Sequence, residues 1–199
     1  MSLVRLKVLP VAPIVSALLM LAPSHALAQS AGVYTLDRPA SAVGFTIYAS
    51  KIFQIRREGQ FKDFTGQLAY DPASPANTRV DLTVFTASVD MQNSDHTQLV
   101  KSGPFFDVDH YPTMHFSSES TEIKSDGTLS MTGDMTIRDV TKPVTFDVTG
   151  KLVGDTITGS ATTQILMKDF GIDPPSVAGM LTVKDGVTIK LNFTAKEAK

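Results

Sequence analysis

Histidines and aspartates gather in one part of the sequence, and these residue types can bind a metal ion or transfer protons. His96, Asp107, Asp109, His110 and His115 are the candidates. His110 and His115 are an odd number of positions apart, so in one strand they would face opposite sides. No HxH or HExxH motif is present. We therefore predict no metal site and no cofactor, and we interpret these histidines as surface or rim residues.

Nucleophilic catalysis has little support in the sequence. The chain has no cysteine and no G-x-S-x-G motif, so a thiolate and the serine of a nucleophile elbow are both missing. Ser88, Ser117 and Ser118 fall in strand-like runs, where hydroxyls usually pair across strands. We predict a protein that is not an enzyme and has no catalytic residues. The alternative is a lipid hydrolase that uses the histidine and aspartate cluster.

Two further places could contact a ligand. Arg138 lies beside a predicted turn and could meet a phosphate head group, although a strand-end charge in solvent is the favoured interpretation. Lys168, Asp169 and Phe170 lie in a loop-like segment and could frame the mouth of a binding site. Equally, the carboxylate of Asp169 could simply cap a turn. The sequence leaves both alternatives open.

The elements that must position these residues are strands, because apolar and polar residues alternate along much of the chain. The clearest run is residues 129–148, where every second residue of each half is apolar or Gly. These residues are Leu129, Met131, Gly133, Met135 and Ile137 in the first half and Val144, Phe146 and Val148 in the second. A polar turn at residues 139–143 separates the two halves. The pattern predicts an antiparallel hairpin whose second strand begins near Pro143, where no ladder N–H is needed.

Similar alternation recurs along the chain, with turn residues between the runs. The further runs lie near residues 33–37, 43–48, 64–70, 80–84, 114–117, 157–161 and 187–195. About eight strands at this spacing predict an all-β domain, either an antiparallel sandwich or an up-and-down barrel. One short helix is expected at residues 93–102, capped by Asn93 or Ser94 and stopped by Gly103-Pro104. In a barrel, this connection would lie over a rim.

The N-terminal segment has the features of a secretory signal peptide. Arg5 and Lys7 precede an apolar stretch at residues 8–21 that is too short to span a bilayer, and Ala26-Leu27-Ala28 fits a cleavage site. We predict a signal peptide at residues 1–28 and one domain at residues 29–199, located in the periplasm. The lack of cysteine excludes disulfides and a lipid-modified cysteine anchor, so no stable membrane anchor is expected.

Bulk charge limits the possible partners. The chain of 199 residues has a formal net charge of -2, whereas a protein that binds nucleic acid needs a concentrated basic face. We therefore predict no nucleic-acid partner. The oligomeric state, monomer or homodimer, is left open by the sequence.

The central hairpin resembles a known family. Residues 133–144 are GDMTIRDVTKPV, which is similar to the G-x-L-T-I-x-G-V-T-K-P-V signature of the YceI-like, polyisoprenoid-binding family. Met135 replaces the Leu and Asp139 replaces the second Gly. Further matches follow in family order at residues 37–45, 59–66, 105–107, 111–112, 116–118 and 169–172. Met167 stands where an Arg is common in the family.

The resemblance implies an extended, eight-stranded, antiparallel, lipocalin-like barrel with one short helix in a connecting segment. It also implies an axial pocket for a long isoprenoid chain, such as a prenyl quinone or polyprenyl phosphate, and export without established chemistry. The expected function is therefore non-covalent lipid binding for transport or storage. A stress-protective structural module with a filled core is a further alternative.

Barrel geometry suggests which residues would contact such a lipid. An eight-stranded barrel either fills with its own side chains or holds one slender guest. Glycines such as Gly133 and Gly159 would leave space in the wall, and methionines can repack around a guest. The predicted ligand-binding residues are Phe45, Phe64, Phe105, Phe106, Met114, Phe116, Met135, Ile137, Phe146, Phe170, Ile189 and Phe193.

Overall fold

The computed structural model describes residues 31–50, 54–174, 176–177 and 181–198. The predicted signal peptide at residues 1–28 lies outside the described residues, as does the predicted start of the mature chain, and both remain predictions. In the described part, none of the helices combines the length and the apolar character that crossing a membrane requires.

Strands make up most of the described chain. They are β1 (Gly32–Leu36), β2 (Ala42–Ser50), β3 (Gln54–Phe61), β4 (Phe64–Tyr70), β5 (Arg79–Phe85), β6 (Val89–Asp90), β7 (Thr113–Ile123), β8 (Leu129–Ile137), β9 (Val140–Val153), β10 (Thr156–Leu166), β11 (Ser176–Val177) and β12 (Leu181–Glu197). The helix α1 spans Ser94–Lys101, and short 3-10 turns occupy Arg38–Ala40, Pro75–Asn77, Thr86–Ser88 and Met167–Phe170.

Eight of these strands close into an antiparallel barrel in the order β1, β4, β5, β7, β8, β9, β10 and β12. The last strand returns to the first, with Tyr34 opposite Glu197. Closure removes the two sheet edges that an open sandwich would expose. The predicted eight-stranded antiparallel barrel is therefore confirmed, and the sandwich alternative is wrong.

The remaining long strands extend one side of the barrel wall. β12 is long enough to pair with β1 at its end and with β2 over residues 182–192. The chain bends between β1 and β2, where Pro39 lies in the 3-10 turn Arg38–Ala40, and again between β3 and β4. β1 consequently pairs with β4 while β2 pairs with β3. One long, bent hairpin thus contributes β1 and β4 to the closed ring, and β2 and β3 to the wall beside it.

The hairpin of β8 and β9 is confirmed, but its predicted turn is wrong. The turn consists of Arg138 and Asp139 alone, because Ile137 already pairs with Val140. Arg138 has a φ of 58°, and positive φ is typical of tight hairpin turns. Pro143 lies inside β9, which pairs with β10 only from Asp147 onward. A proline is tolerated there because one side of the strand has no ladder.

The predicted helix forms in the connection between β6 and β7. The side chain of Asn93 accepts a hydrogen bond from the backbone N–H of His96 at 2.9 Å, so Asn93 is the N-cap. The buried Val100 anchors α1 to a core cluster that includes Phe61 and Val84. The short helix and the segment after it therefore cover one side of the barrel.

Two strand glycines have a different role from the one predicted. A Cβ at Gly133 would lie 2.2 Å from the backbone oxygen of Ser117, and a Cβ at Gly159 would lie 2.1 Å from that of Thr149. Gly133 also faces the register irregularity of β7 between Ser118 and Ser120. These glycines permit close backbone approach. They do not create space for a guest.

We expect Gly133→Ala to lower the free energy of unfolding by about 3 kcal/mol, because the new methyl group must displace the backbone of β7. Urea unfolding followed by circular dichroism measures this loss. Gly103→Ala is the matched control, since no heavy atom of a described residue lies within 4 Å of a Cβ at that position. This substitution should change stability by less than about 0.5 kcal/mol. Equal stability of the two variants would contradict the close approach at Gly133.

Candidate functional site

The barrel encloses a cavity of about 370 Å³, within the range of about 300–1,000 Å³ that is usual for small-molecule sites. Its lining is almost entirely apolar. Eleven of the predicted residues line it, namely Phe45, Phe105, Phe106, Met114, Phe116, Met135, Ile137, Phe146, Phe170, Ile189 and Phe193. That these side chains bind a ligand remains a prediction.

Phe64 is the exception, and its predicted place on the lining is wrong. It is buried in a cluster with Phe61, Val84 and Val89, and although Phe61 and Val84 line the cavity, Phe64 does not. β4 begins at Phe64 directly after the bend that follows β3. Phe64 therefore packs at the start of β4, in the cluster that also contains Val100 of α1.

The middle of the barrel is hollow. Phe45, Leu82, Met114, Ile189 and Leu191 line the cavity, yet each is only half-buried. In a filled barrel, lumen-facing apolar side chains would be buried on all sides by close packing. The surface that they keep accessible belongs to the cavity, so a filled core is wrong for this chain.

The segment after α1 brings aromatic side chains into the lumen. The ring of Phe106 lies 6.0 Å from that of Phe45 and 5.6 Å from that of Phe61, edge to face in both pairs. Deeper in the barrel, Phe116 and Phe146 meet edge to face at 4.9 Å. Offset and edge-to-face pairs are the favoured aromatic arrangements. They give the apolar wall a defined shape around the cavity.

A short segment at residues 167–172, which we call the rim turn, covers one end of the cavity. Met167, Phe170 and Ile172 are buried and line the cavity. Gly171 ends the 3-10 turn with a φ of 67° and donates a backbone hydrogen bond to Lys168. Asp169 is exposed, and among the described residues its carboxylate neither caps the turn nor lines the cavity. That Lys168, Asp169 and Phe170 frame the mouth of a binding site remains a prediction.

At the opposite end, the lining reaches the surface. Ile123, Gly127 and Lys151 line the cavity there, and all are exposed, Ile123 by 54%. These residues belong to the hairpin ends of β7–β8 and β9–β10. The cavity is therefore covered at the rim turn and approaches solvent at the hairpin ends.

Arg138 is not the freely solvated strand-end charge that the sequence favoured. Its Nη1 donates a hydrogen bond to the backbone oxygen of Gly171 at 3.1 Å, and its guanidinium lies 5.1 Å from the ring centre of Tyr111. This places a cation over an aromatic face. Its Nε is buried and has no hydrogen-bond partner among the described residues. Arg138 thus ties the β8–β9 turn to the rim turn.

The histidines form separate pairs instead of one site. His110 Nδ1 lies 2.9 Å from Asp107, and His115 Nε2 lies 2.9 Å from Asp81. The hydrogen bond with Asp107 raises the pKa of His110 above its ordinary value. Within the described residues no three acidic or histidine side chains are grouped to hold a metal ion. Nor does a described serine hydroxyl bond to a histidine, so the hydrolase alternative gains no support.

The fold and the cavity define a closed β-barrel of the ligand-binding class. The YceI-like domain family matches residues 34–195. The chain therefore belongs to the YceI-like family, as its hairpin motif predicted. A UPF0312 protein of Shewanella baltica is 32% identical over 159 residues, which cover 77% of this chain and 82% of that protein.

Solved structures show the same barrel. BcnA of Burkholderia cenocepacia has a TM-score of 0.72 and 26% sequence identity, with 81% of this chain and 99% of that chain covered. A polyisoprenoid-binding domain of Saccharophagus degradans, implicated in plant cell wall breakdown, has a TM-score of 0.63 and 13% identity, covering 83% and 98% of the two chains. The second likeness shows the fold alone.

Proposed function

We propose that this protein binds one long isoprenoid-type lipid non-covalently in its barrel cavity, for transport or storage after export to the periplasm. A prenyl quinone or a polyprenyl phosphate is the kind of lipid that we infer. The protein performs this role without a cofactor and without catalysis.

The observation that carries the proposal is the apolar cavity with its half-buried lining. A hydrocarbon guest gains about 0.8 kcal/mol for each buried CH₂ group, so a long prenyl chain binds tightly without a polar partner. The unbranched side chains of Met114, Met131 and Met135 line the cavity and can adjust to a flexible guest. An eight-stranded barrel has room for one slender molecule.

Two further observations support the lipid class and the location. The Saccharophagus domain with the same fold is a polyisoprenoid-binding domain, and this chain carries the hairpin motif of the YceI-like family. The N-terminal segment has the charge, apolar length and small-residue site of a signal peptide. Export would give the barrel access to lipids outside the cytoplasm.

The most direct test expresses the full chain in a Gram-negative host and recovers the protein from the periplasmic fraction. We expect N-terminal sequencing to begin at Gln29, and we expect mass spectrometry of an organic extract to detect a prenyl lipid in near-equal molar amount. Delipidated protein should also bind fluorescently labelled geranylgeraniol. An empty extract together with no probe binding would refute lipid binding, while cytoplasmic retention would refute export alone.

A further inference from the structure

The barrel wall is not continuous on the side of β9 and β10. These strands pair only where residues 147–153 of β9 face residues 156–162 of β10. Beyond that point, residues 140–146 pair with β8 and residues 163–166 pair with β12, but the two segments do not pair with each other. The ladder between the two strands therefore ends before the rim turn, and we call this unpaired stretch the slit.

Thr163 marks the point where the ladder ends. Its side chain is buried, and its Oγ1 donates a hydrogen bond to the backbone oxygen of Thr145 at 2.7 Å. A side chain thus replaces the backbone bond that a continuous sheet would make. The slit begins beyond this bond and extends to the rim turn.

The rim turn lies over this slit. It continues directly from β10, and its side chains at Met167, Phe170 and Ile172 face the cavity. A Cβ at Gly171 would lie 3.9 Å from Cγ2 of Val140, the first residue of β9. The turn consequently bridges the two unpaired strand segments, and its apolar side chains separate the cavity from the outside.

Two polar contacts between described residues hold the rim turn to its neighbours. Arg138 donates to the backbone oxygen of Gly171, and the backbone N–H of Lys168 donates to Asp185 Oδ1 at 3.0 Å. Arg138 makes its contact from a sparsely populated backbone conformation, and its buried Nε has no hydrogen-bond partner in the part of the chain that the structure describes. Both features cost free energy in the closed state. Lifting the turn would expose Nε to water and remove part of that cost.

We propose that the slit between β9 and β10 is the uptake site for the apolar chain of the lipid, with the rim turn as its cover and Arg138 as the latch. This inference rests on the proposed function. A hydrocarbon chain that enters sideways through the slit reaches the cavity along its whole length. The hydrogen bonds between the barrel strands stay intact. The competing route is the opposite end, where Ile123 is exposed on the lining.

A reversible crosslink tests this uptake site, because the natural chain contains no cysteine. In the double variant Val140→Cys, Gly171→Cys, the two side chains are within reach of a disulfide after a small adjustment. Oxidation should slow the uptake and release of labelled geranylgeraniol by about tenfold or more, since the cover can no longer lift. Reduction should restore the rates. The reduced protein is the matched control for strain at position 171.

Equal rates in protein shown by mass spectrometry to be crosslinked would overturn the side route and favour the hairpin ends. Such a result would leave lipid binding itself intact. No probe binding by the natural chain would instead refute the proposed function, and the uptake site with it.

A second variant keeps the inference testable if the crosslink fails to form. Arg138→Gln removes the latch, so probe exchange should become several-fold faster. Arg56→Gln is the matched control, because this exposed arginine lies on β3 and pairs with Glu58. Unchanged or slower exchange in Arg138→Gln would overturn the role of Arg138 as a latch and the closed cover that it implies.

Discussion

Ala161→Trp is expected to weaken the binding of a long prenyl chain by about a thousandfold. Ala161 is buried in β10 and lines the cavity between Leu191 of β12 and Val148 of β9. An indole at this position occupies the path of the guest. Displacing about five carbon atoms costs about 4 kcal/mol, at about 0.8 kcal/mol for each carbon. Fluorescence titration with labelled geranylgeraniol measures the change.

Ser160→Trp is the matched control, because Ser160 is the neighbouring residue in β10 and its side chain is exposed. The same indole on the outer face should leave affinity unchanged. Ala161→Leu adds a smaller group and should weaken binding less, which separates occupation of the cavity from general disruption. Thermal melting confirms that each variant is folded. Natural affinity in a folded Ala161→Trp protein would place the guest outside the barrel.

The sequence predicted the lining well because alternation is a local property. In a barrel strand with one face toward solvent, successive side chains alternate between the outside and the inside, so every second residue faces inward. Met135, Ile137 and Phe146 share the apolar parity of the central hairpin and all line the cavity. The same logic failed at Phe64, which has the parity of the lining residue Leu68 but lies at the start of β4, outside the lining. Alternation shows which face a residue lies on, but it carries no information about where along a strand the cavity ends.

Closure of the sheet could not be derived from alternation. A sandwich and a barrel contain the same strands, and the difference is the pairing of Tyr34 with Glu197, which are distant in the chain. The family resemblance supplied this information. The role of Gly133 was equally hidden, because a glycine that leaves space and a glycine that admits a neighbouring backbone look the same in sequence.

The contacts of Arg138 could not be predicted from the sequence for a related reason. The predicted turn placed this residue at the end of a strand, where solvent is the ordinary environment of a charge. Its partners, Gly171 and the ring of Tyr111, come from other segments of the chain. Only the tight two-residue turn and the end of the β9–β10 ladder bring them together. The slit depends on where the β9–β10 ladder ends, and sequence patterns locate such ends poorly.

Phe170→Ala is expected to lower the free energy of unfolding by about 3–5 kcal/mol, the range for loss of a buried aromatic ring. Phe170 is only 2% exposed and packs in the main core cluster while closing one end of the cavity. Removing the ring leaves a void in the core at this end of the cavity. Urea unfolding of delipidated protein measures this loss.

Phe85→Ala is the control for this variant, since Phe85 is 37% exposed and should lose less than about 1 kcal/mol. A saturating prenyl guest should then stabilise Phe170→Ala at least as much as the natural chain, because ligand that binds only the folded state adds to its stability and the enlarged cavity still accepts a hydrocarbon. A loss at Phe170 no greater than that at Phe85 would show that the rim turn is not packed against the core. Packing of Phe170 would then not hold the rim turn in place as the cover over the slit.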